Sequence, residues 1–129
     1  MKHLFSFLFL FIAATTISLA QGVFSFEELE HNFGDIKEGE LAEHVFAFEN
    51  TGDAPIVIEN VRASCGCTTP QWPKEPIMPG ESAEIKAVFN SKGRPGNVYK
   101  TITITSNASE TTKTLKLRGQ VIKSDSTPE

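Results

Sequence analysis

Ser82-Ala83-Glu84-Ile85-Lys86-Ala87-Val88-Phe89 is the stretch whose reading decides the fold. In an extended chain Ala83, Ile85, Ala87 and Phe89 fall on one side, while Ser82, Glu84 and Lys86 fall on the other. Successive side chains of a strand point to opposite faces, so this pattern describes an antiparallel strand with one face buried and one wet. A helix would space its apolar residues three and four apart. No segment of the body carries that stripe.

The same period of two recurs on both sides. Downstream, Thr101-Ile102-Thr103-Ile104-Thr105 alternates strictly and is closed by Ser106-Asn107-Ala108-Ser109. After it Leu115, Leu117, Gly119 and Val121 face one way, and Lys116, Arg118 and Gln120 the other. Upstream, Pro55-Ile56-Val57-Ile58-Glu59-Asn60-Val61 is rich in β-branched residues, which favour strands. Ala42-Glu43-His44-Val45-Phe46-Ala47-Phe48-Glu49 puts Phe46 and Phe48 on one face and stops at the turn signal Asn50-Thr51-Gly52-Asp53. Phe24, Phe26, Leu29 and Phe33 begin a looser pattern that runs to Gly34-Asp35 and Gly39. About seven short strands with frequent turn signals predict an all-β, immunoglobulin-like sandwich of antiparallel strands. Parallel pairing needs crossovers of roughly a dozen residues or more, usually helical, and none is offered. A small open barrel is the alternative.

Residues 65–80 behave differently. Pro70, Pro73, Pro76 and Pro79 recur at every third position, the period of a polyproline II turn. Proline removes ladder donors, so the stretch is no central strand. It reads as a stiff connector from one sheet to the other, with Trp72 packed on a sandwich edge. A proline-rich ligand for an SH3-like groove is the functional alternative, and an exported chain seldom meets such a partner.

Export is read from the start of the chain. Lys2 and His3 precede the apolar run Leu4-Phe5-Ser6-Phe7-Leu8-Phe9-Leu10-Phe11-Ile12-Ala13-Ala14, and small residues end the segment at Ser18-Leu19-Ala20. These are the three parts of a secretory signal. A retained span needs roughly 20 apolar residues, and Thr15, Thr16 and Ser18 interrupt this one too early. Cleavage is expected between Ala20 and Gln21, with a sandwich domain over 21–122 and a polar tail over 123–129. The residue that the cleavage would expose is Gln21, not a cysteine that could take a lipid. The signal holds one of the 12 Lys+Arg and none of the 16 Asp+Glu, so its loss makes the formal charge of −4 one unit more negative. An acidic chain without a basic patch carries no electrostatic footprint for nucleic acid, and no later segment is apolar enough to span a bilayer. Export also places the cysteines where disulfides persist.

Cys65-Gly66-Cys67 is the one local feature with chemistry in it. In a regular strand residues i and i+2 hold their Cβ atoms roughly 6–7 Å apart, whereas a disulfide wants about 3.5–4.5 Å. A bridge therefore needs a curled backbone, which Gly66 permits. The loop-entropy model gives so small a ring only about 1.5 kcal/mol before strain is subtracted. Four readings stand open: a local strained bridge, a working thiol–disulfide pair, a Cu(I) or Zn(II) site, or free and intermolecular thiols. No C-x-x-C spacing or thioredoxin-like context supports the second. A closed zinc site needs four ligands. Only His31, His44 and Met78 can add to two thiolates, and their spacing gives no sign that they converge.

Other chemistry is absent from the pattern. Glu27, Glu28, Glu30 and Asp35 read as a solvated face, and no nucleophile elbow or phosphate-binding glycine loop occurs. Asn107-Ala108-Ser109 matches a glycosylation sequon, for which the turn reading suffices.

Phe33-Gly34-Asp35-Ile36, Phe46-Ala47-Phe48-Glu49-Asn50-Thr51-Gly52, Val61-Arg62-Ala63-Ser64-Cys65-Gly66-Cys67-Thr68, Pro76-Ile77-Met78-Pro79-Gly80 and Ser106-Asn107 together resemble an exported bacterial family known as a domain of unknown function, DUF1573. The resemblance runs from Phe26 to Val121. It implies an immunoglobulin-like sandwich related to ASPM/SPD-2/hydin-type and major-sperm-protein domains, which act as interaction modules. It also implies exposure to the periplasm or cell surface of a Gram-negative bacterium. The expectation is a non-catalytic module that meets another envelope protein and carries no cofactor. The alternative is a redox or Cu/Zn-binding protein centred on Cys65 and Cys67.

Overall fold

The computed structural model describes residues 19–123. The signal expected over 1–20 and the tail expected over 123–129 lie outside the described residues, except for Leu19, Ala20 and Lys123. Eight strands follow one another: β1 (Phe24–Phe26), β2 (Glu30–Lys37), β3 (Leu41–Asn50), β4 (Ile58–Ala63), β5 (Thr68–Gln71), β6 (Ser82–Asn90), β7 (Gly96–Ser106) and β8 (Thr112–Ile122). No helix occurs among the described residues. The strands form two four-stranded sheets, ordered β1-β3-β6-β5 and β2-β8-β7-β4.

The alternation read from the sequence is the burial found. Ile85, Ala87 and Phe89 of β6, Ile102 and Ile104 of β7, and Leu115, Leu117 and Val121 of β8 are buried. All but Phe89 and Val121 join Phe46 and Phe48 of β3 in one cluster in the space between the sheets. Each large side chain removed from water in this way contributes about 1.5–3 kcal/mol. Ile36, Cys67, Phe89, Val98 and Val121 form a smaller second cluster.

Three expectations are corrected. Among the described residues there are eight strands, not about seven: the pattern from Phe24 to Phe33 belongs to two strands, β1 and β2, and β5 was hidden by Pro70. β5 is the outermost strand of its sheet, with Pro70 opposite Ala87, and an edge tolerates a residue that cannot donate. The crossing between sheets is made at residues 64–67, before the remaining prolines, which lie on the return from β5 to β6 within one sheet. Finally, β2 pairs with β8 in parallel, from Glu30 opposite Lys116 to Lys37 opposite Ile122. Their crossover is the whole intervening chain, so no helix was needed. Trp72 does pack against the larger core, with Lys74 Nζ 3.1 Å from its ring centroid.

Two local devices set side-chain directions. β2 is bulged between Asn32 and Asp35, with Gly34 at φ 68° and its N–H donating to Asn32 Oδ1 at 2.9 Å. A bulge re-aims side chains, so His31 and Phe33 are half-buried and Ile36 buried along one strand. At the end of β3, Asn50 is fully buried and fully used. Its Oδ1 accepts from the N–H groups of Val23 (3.1 Å) and Gly52 (3.0 Å), and its Nδ2 donates to the carbonyls of Ala54 (2.8 Å) and Ile77 (2.9 Å). The turn signal read at Asn50 is real, and the side chain behind it also ties three other segments together.

Candidate functional site

Among the described residues the chain passes between the sheets five times, and two of these crossings matter for chemistry: residues 27–29, between β1 and β2, and residues 64–67, between β4 and β5. β2 lies against β3 at one side of the sandwich and β4 against β5 at the other. The residues with chemistry sit on these two crossings or in the strands beside them.

At the second crossing Cys65 and Cys67 are joined by a disulfide, with their Cα atoms 5.2 Å apart. A straight strand would separate them by roughly 6.6 Å. The shortening comes from a turn in which the Thr68 N–H donates to Cys65 O at 3.2 Å. Both flanks are anchored: Ser64 N–H donates to Thr101 O (2.8 Å) and Asn90 N–H to Cys67 O (2.9 Å). Gly66 is not what makes the curl possible, contrary to expectation. Its φ is outside the left-handed region, and an added Cβ would meet nothing within 4 Å. Cys67 is buried beside Phe89 and Val98, whereas Cys65 is half-buried. With the sulfurs bonded to each other, neither is a thiolate able to ligate a metal.

At the first crossing the structure joins what the spacing did not. His31 points inward from β2, where its strand partner is the fully buried Leu117. His44 points inward from β3 on the same face as Phe46 and Phe48. The two imidazoles stack, with centroids 3.5 Å apart and planes within 5°. Phe33 meets the His31 ring edge-on at 4.8 Å, and Phe46 meets the His44 ring at 4.7 Å. Glu28, on the crossing itself, accepts a hydrogen bond from the Nε2–H of His44. One donor atom from each of Glu28, His31 and His44 lies within 4.8 Å of the others. Burial, reinforced by the neighbouring His44 and opposed by Glu28, holds the His31 imidazole below its ordinary pKa.

Glu28 had been grouped with Glu27, Glu30 and Asp35 as a solvated face. Glu30 does pair outward with Arg118, but Glu28 turns to the histidines. The signal that could have found the cluster is parity: His44 shares its strand face with Phe46 and Phe48, and His31 shares its own with Phe33. Met78, the third residue considered as a ligand, is 46% exposed between β5 and β6. Gln21, on the mature side of the expected cleavage point, donates its N–H to Asp53 Oδ1 at 2.8 Å. The side chain of Asn107 accepts from Val57 N–H at 2.7 Å and donates to Pro55 O at 3.3 Å, as a turn residue does.

A third feature lies on the outer face of the second sheet. Asn32, Asp35, Tyr99, Arg118 and Gln120 line a shallow groove there. Tyr99 is half exposed, and the Arg118 guanidinium lies 4.9 Å over its ring.

Many solved structures share the fold, three of them as follows. A protein of unknown function from Porphyromonas gingivalis superposes with a TM-score of 0.69 at 17% identity, covering 84% of this chain and 51% of that one. The ASH/PapD-like domain 7 of human CEP192 gives 0.65 at 12% identity, covering 81% and 89%. The secreted serine protease VesC of Vibrio cholerae gives 0.59 at 17% identity, covering 81% and 24%. The chain thus spans about half of the Porphyromonas protein and about a quarter of VesC. Such identities carry the fold alone. No curated protein matches the chain in sequence. The family model described as protein of unknown function (DUF1573) matches residues 24–121, and the chain belongs to that family.

Proposed function

We propose that the chain is a non-catalytic sandwich module of the bacterial envelope that binds another envelope protein across the outer face of its second sheet. The observation that carries this reading is the groove beside Tyr99 and Arg118. Tyrosine and arginine are the residue types that most often anchor protein interfaces, and here they are preset against each other. The free sheet edges are poorer candidates. β1 is three residues long, β2 and β4 are each bulged, and β5 contains Pro70, all devices that discourage strand addition. The PapD-like likeness fits an adhesive module and says nothing of its partner.

The test is site-specific photocrosslinking in the native envelope from Gln120, in the groove, and from Glu110, outside it. A defined adduct from Gln120 that is absent from Glu110 and lost in Tyr99→Ala/Arg118→Ala is expected. Adducts unaffected by that double change would overturn the reading. Cys65→Ser/Cys67→Ser should leave the adduct intact.

The half-buried position of Cys65 favours one rival, thiol–disulfide exchange or, after reduction, Cu(I) or Zn(II) binding at the pair. It requires that a small thiol open the bond in the folded protein. Mass spectrometry would record a gain of two hydrogens on reduction or a metal-sized adduct, and detecting neither sinks it.

A further inference from the structure

The geometry points to a divalent transition-metal site at Glu28, His31 and His44, with zinc the ion its donor set suits best. Two imidazole nitrogens and one carboxylate are a ligand trio used by open zinc sites, in which a fourth position is left to water or another ligand. This trio is assembled from two strands of different sheets: Glu28 and His31 from the crossing at 27–29 and the β2 strand it leads into, and His44 from β3. Its burial grades from inside to outside. The side chain of His44 is 19% exposed and that of Glu28 43%, so an ion entering from solvent reaches the carboxylate first.

The distances fit an ion with modest adjustment. Ligand bonds of 2.0–2.1 Å at tetrahedral angles put donor atoms about 3.3 Å apart, against the 4.8 Å within which the three now lie. The adjustment is specific. Stacked parallel rings send their nitrogen lone pairs along parallel planes, so they cannot aim at one point. One imidazole must rotate out of the stack, and the His44–Glu28 hydrogen bond must open to free its nitrogen. Both changes are side-chain rotations at the rim of the core, and neither asks the strands to move. Phe33 and Phe46 bound the rings edge-on and limit the directions in which they turn.

The disulfide is no part of this site. Its sulfurs are bonded to each other on the crossing at 64–67, and the site is defined without them. An ion bound at Glu28, His31 and His44 would join the two sheets through β2 and β3, the side that carries no covalent link among the described residues.

The test is calorimetric titration of tag-free protein, stripped with chelator, with zinc chloride. One ion per chain with a dissociation constant in the micromolar range or below is expected. His31→Ala/His44→Ala should weaken it at least a hundredfold, and circular dichroism in chelator checks that this variant folds. Glu28→Gln changes an exposed side chain and leaves folding alone, and it should weaken binding about tenfold. Cys65→Ser/Cys67→Ser should bind like the parent. No binding, equal binding in Glu28→Gln and the histidine variant, or binding lost only with the cysteines would each overturn the site.

Discussion

Two of the five crossings between the sheets, at residues 27–29 and 64–67, are fastened by different chemistry, and the difference separates what holds this fold from what is available for use. At residues 64–67 the fastening is covalent: a disulfide inside a turn whose flanks are already hydrogen-bonded to β6 and β7. At residues 27–29 it is polar and reversible, two stacked imidazoles and a carboxylate at the rim of the core. The covalent clasp closes a ring too small to remove much chain entropy. The polar clasp gathers ligand-type side chains from both sheets. The fastening that can open is thus the one that carries ligands for an ion.

The largest effect is expected where neither clasp acts. The start of β1 is held by Asn50, which meets four backbone groups from inside the fold. Asn50→Ala strands those donors and acceptors, each at a cost of about 1–3 kcal/mol when water cannot replace the lost partner. We expect about 3–5 kcal/mol of lost stability in denaturant unfolding. A loss below about 1 kcal/mol would mean that the 27–29 side is held by the histidine cluster instead, and the comparison would have to be redrawn.

The disulfide comes next. Cys65→Ser/Cys67→Ser should cost about 1.5 kcal/mol, the loop-entropy value for so short a ring. The loss should appear as faster amide exchange in β5 and at the end of β6, where Cys67 O accepts from Asn90. A cost above about 3 kcal/mol would make the bond a true staple. It would also move the covalent crossing from a local feature to a determinant of the fold.

The polar clasp should be weaker still when no ion is present. His44→Leu keeps the volume beside Phe46 and removes a hydrogen bond to a carboxylate that is nearly half exposed. Such partners contribute little, so in chelator the variant should unfold within about 1 kcal/mol of the parent. It should nevertheless lose any stabilisation that zinc gives the parent. A large loss in chelator would mean that the cluster is a structural knot, not a vacant set of ligands.

How much of this was legible in the sequence follows from what each signal measures. Period-two alternation reports burial by two faces, and it placed Ile85, Ile102, Ile104, Leu115 and Leu117 correctly. It says nothing of which strand lies beside which, so the parallel β2–β8 pair was missed. Proline punctuation was over-read: Pro70 excludes a central strand but not the edge strand β5. Cys65-Gly66-Cys67 was visible because its residues adjoin in sequence. His31 and His44 are thirteen positions apart, in strands of different sheets, so only three-dimensional packing brings them together. The parity that hinted at it, His44 with Phe46, needed the sheet partner to become a contact.

The smallest effect concerns Gly66, and it tests why the covalent crossing curls at all. Glycine between two bridged cysteines suggests a backbone that only glycine can adopt. The turn contradicts that, because Gly66 has no left-handed φ and an added Cβ would meet open space. The curl is imposed by three hydrogen bonds, from Thr68 to Cys65, from Ser64 to Thr101 and from Asn90 to Cys67. Gly66→Ala should therefore fold and oxidise normally. It should be unchanged or up to about 1 kcal/mol more stable, since alanine has fewer unfolded conformations to lose. If the variant instead loses stability, or leaves its cysteines reduced, freedom at Gly66 is what lets the ring close. The crossing at 64–67 would then depend on one residue's conformation, as ion binding beside the crossing at 27–29 depends on the rotation of one imidazole.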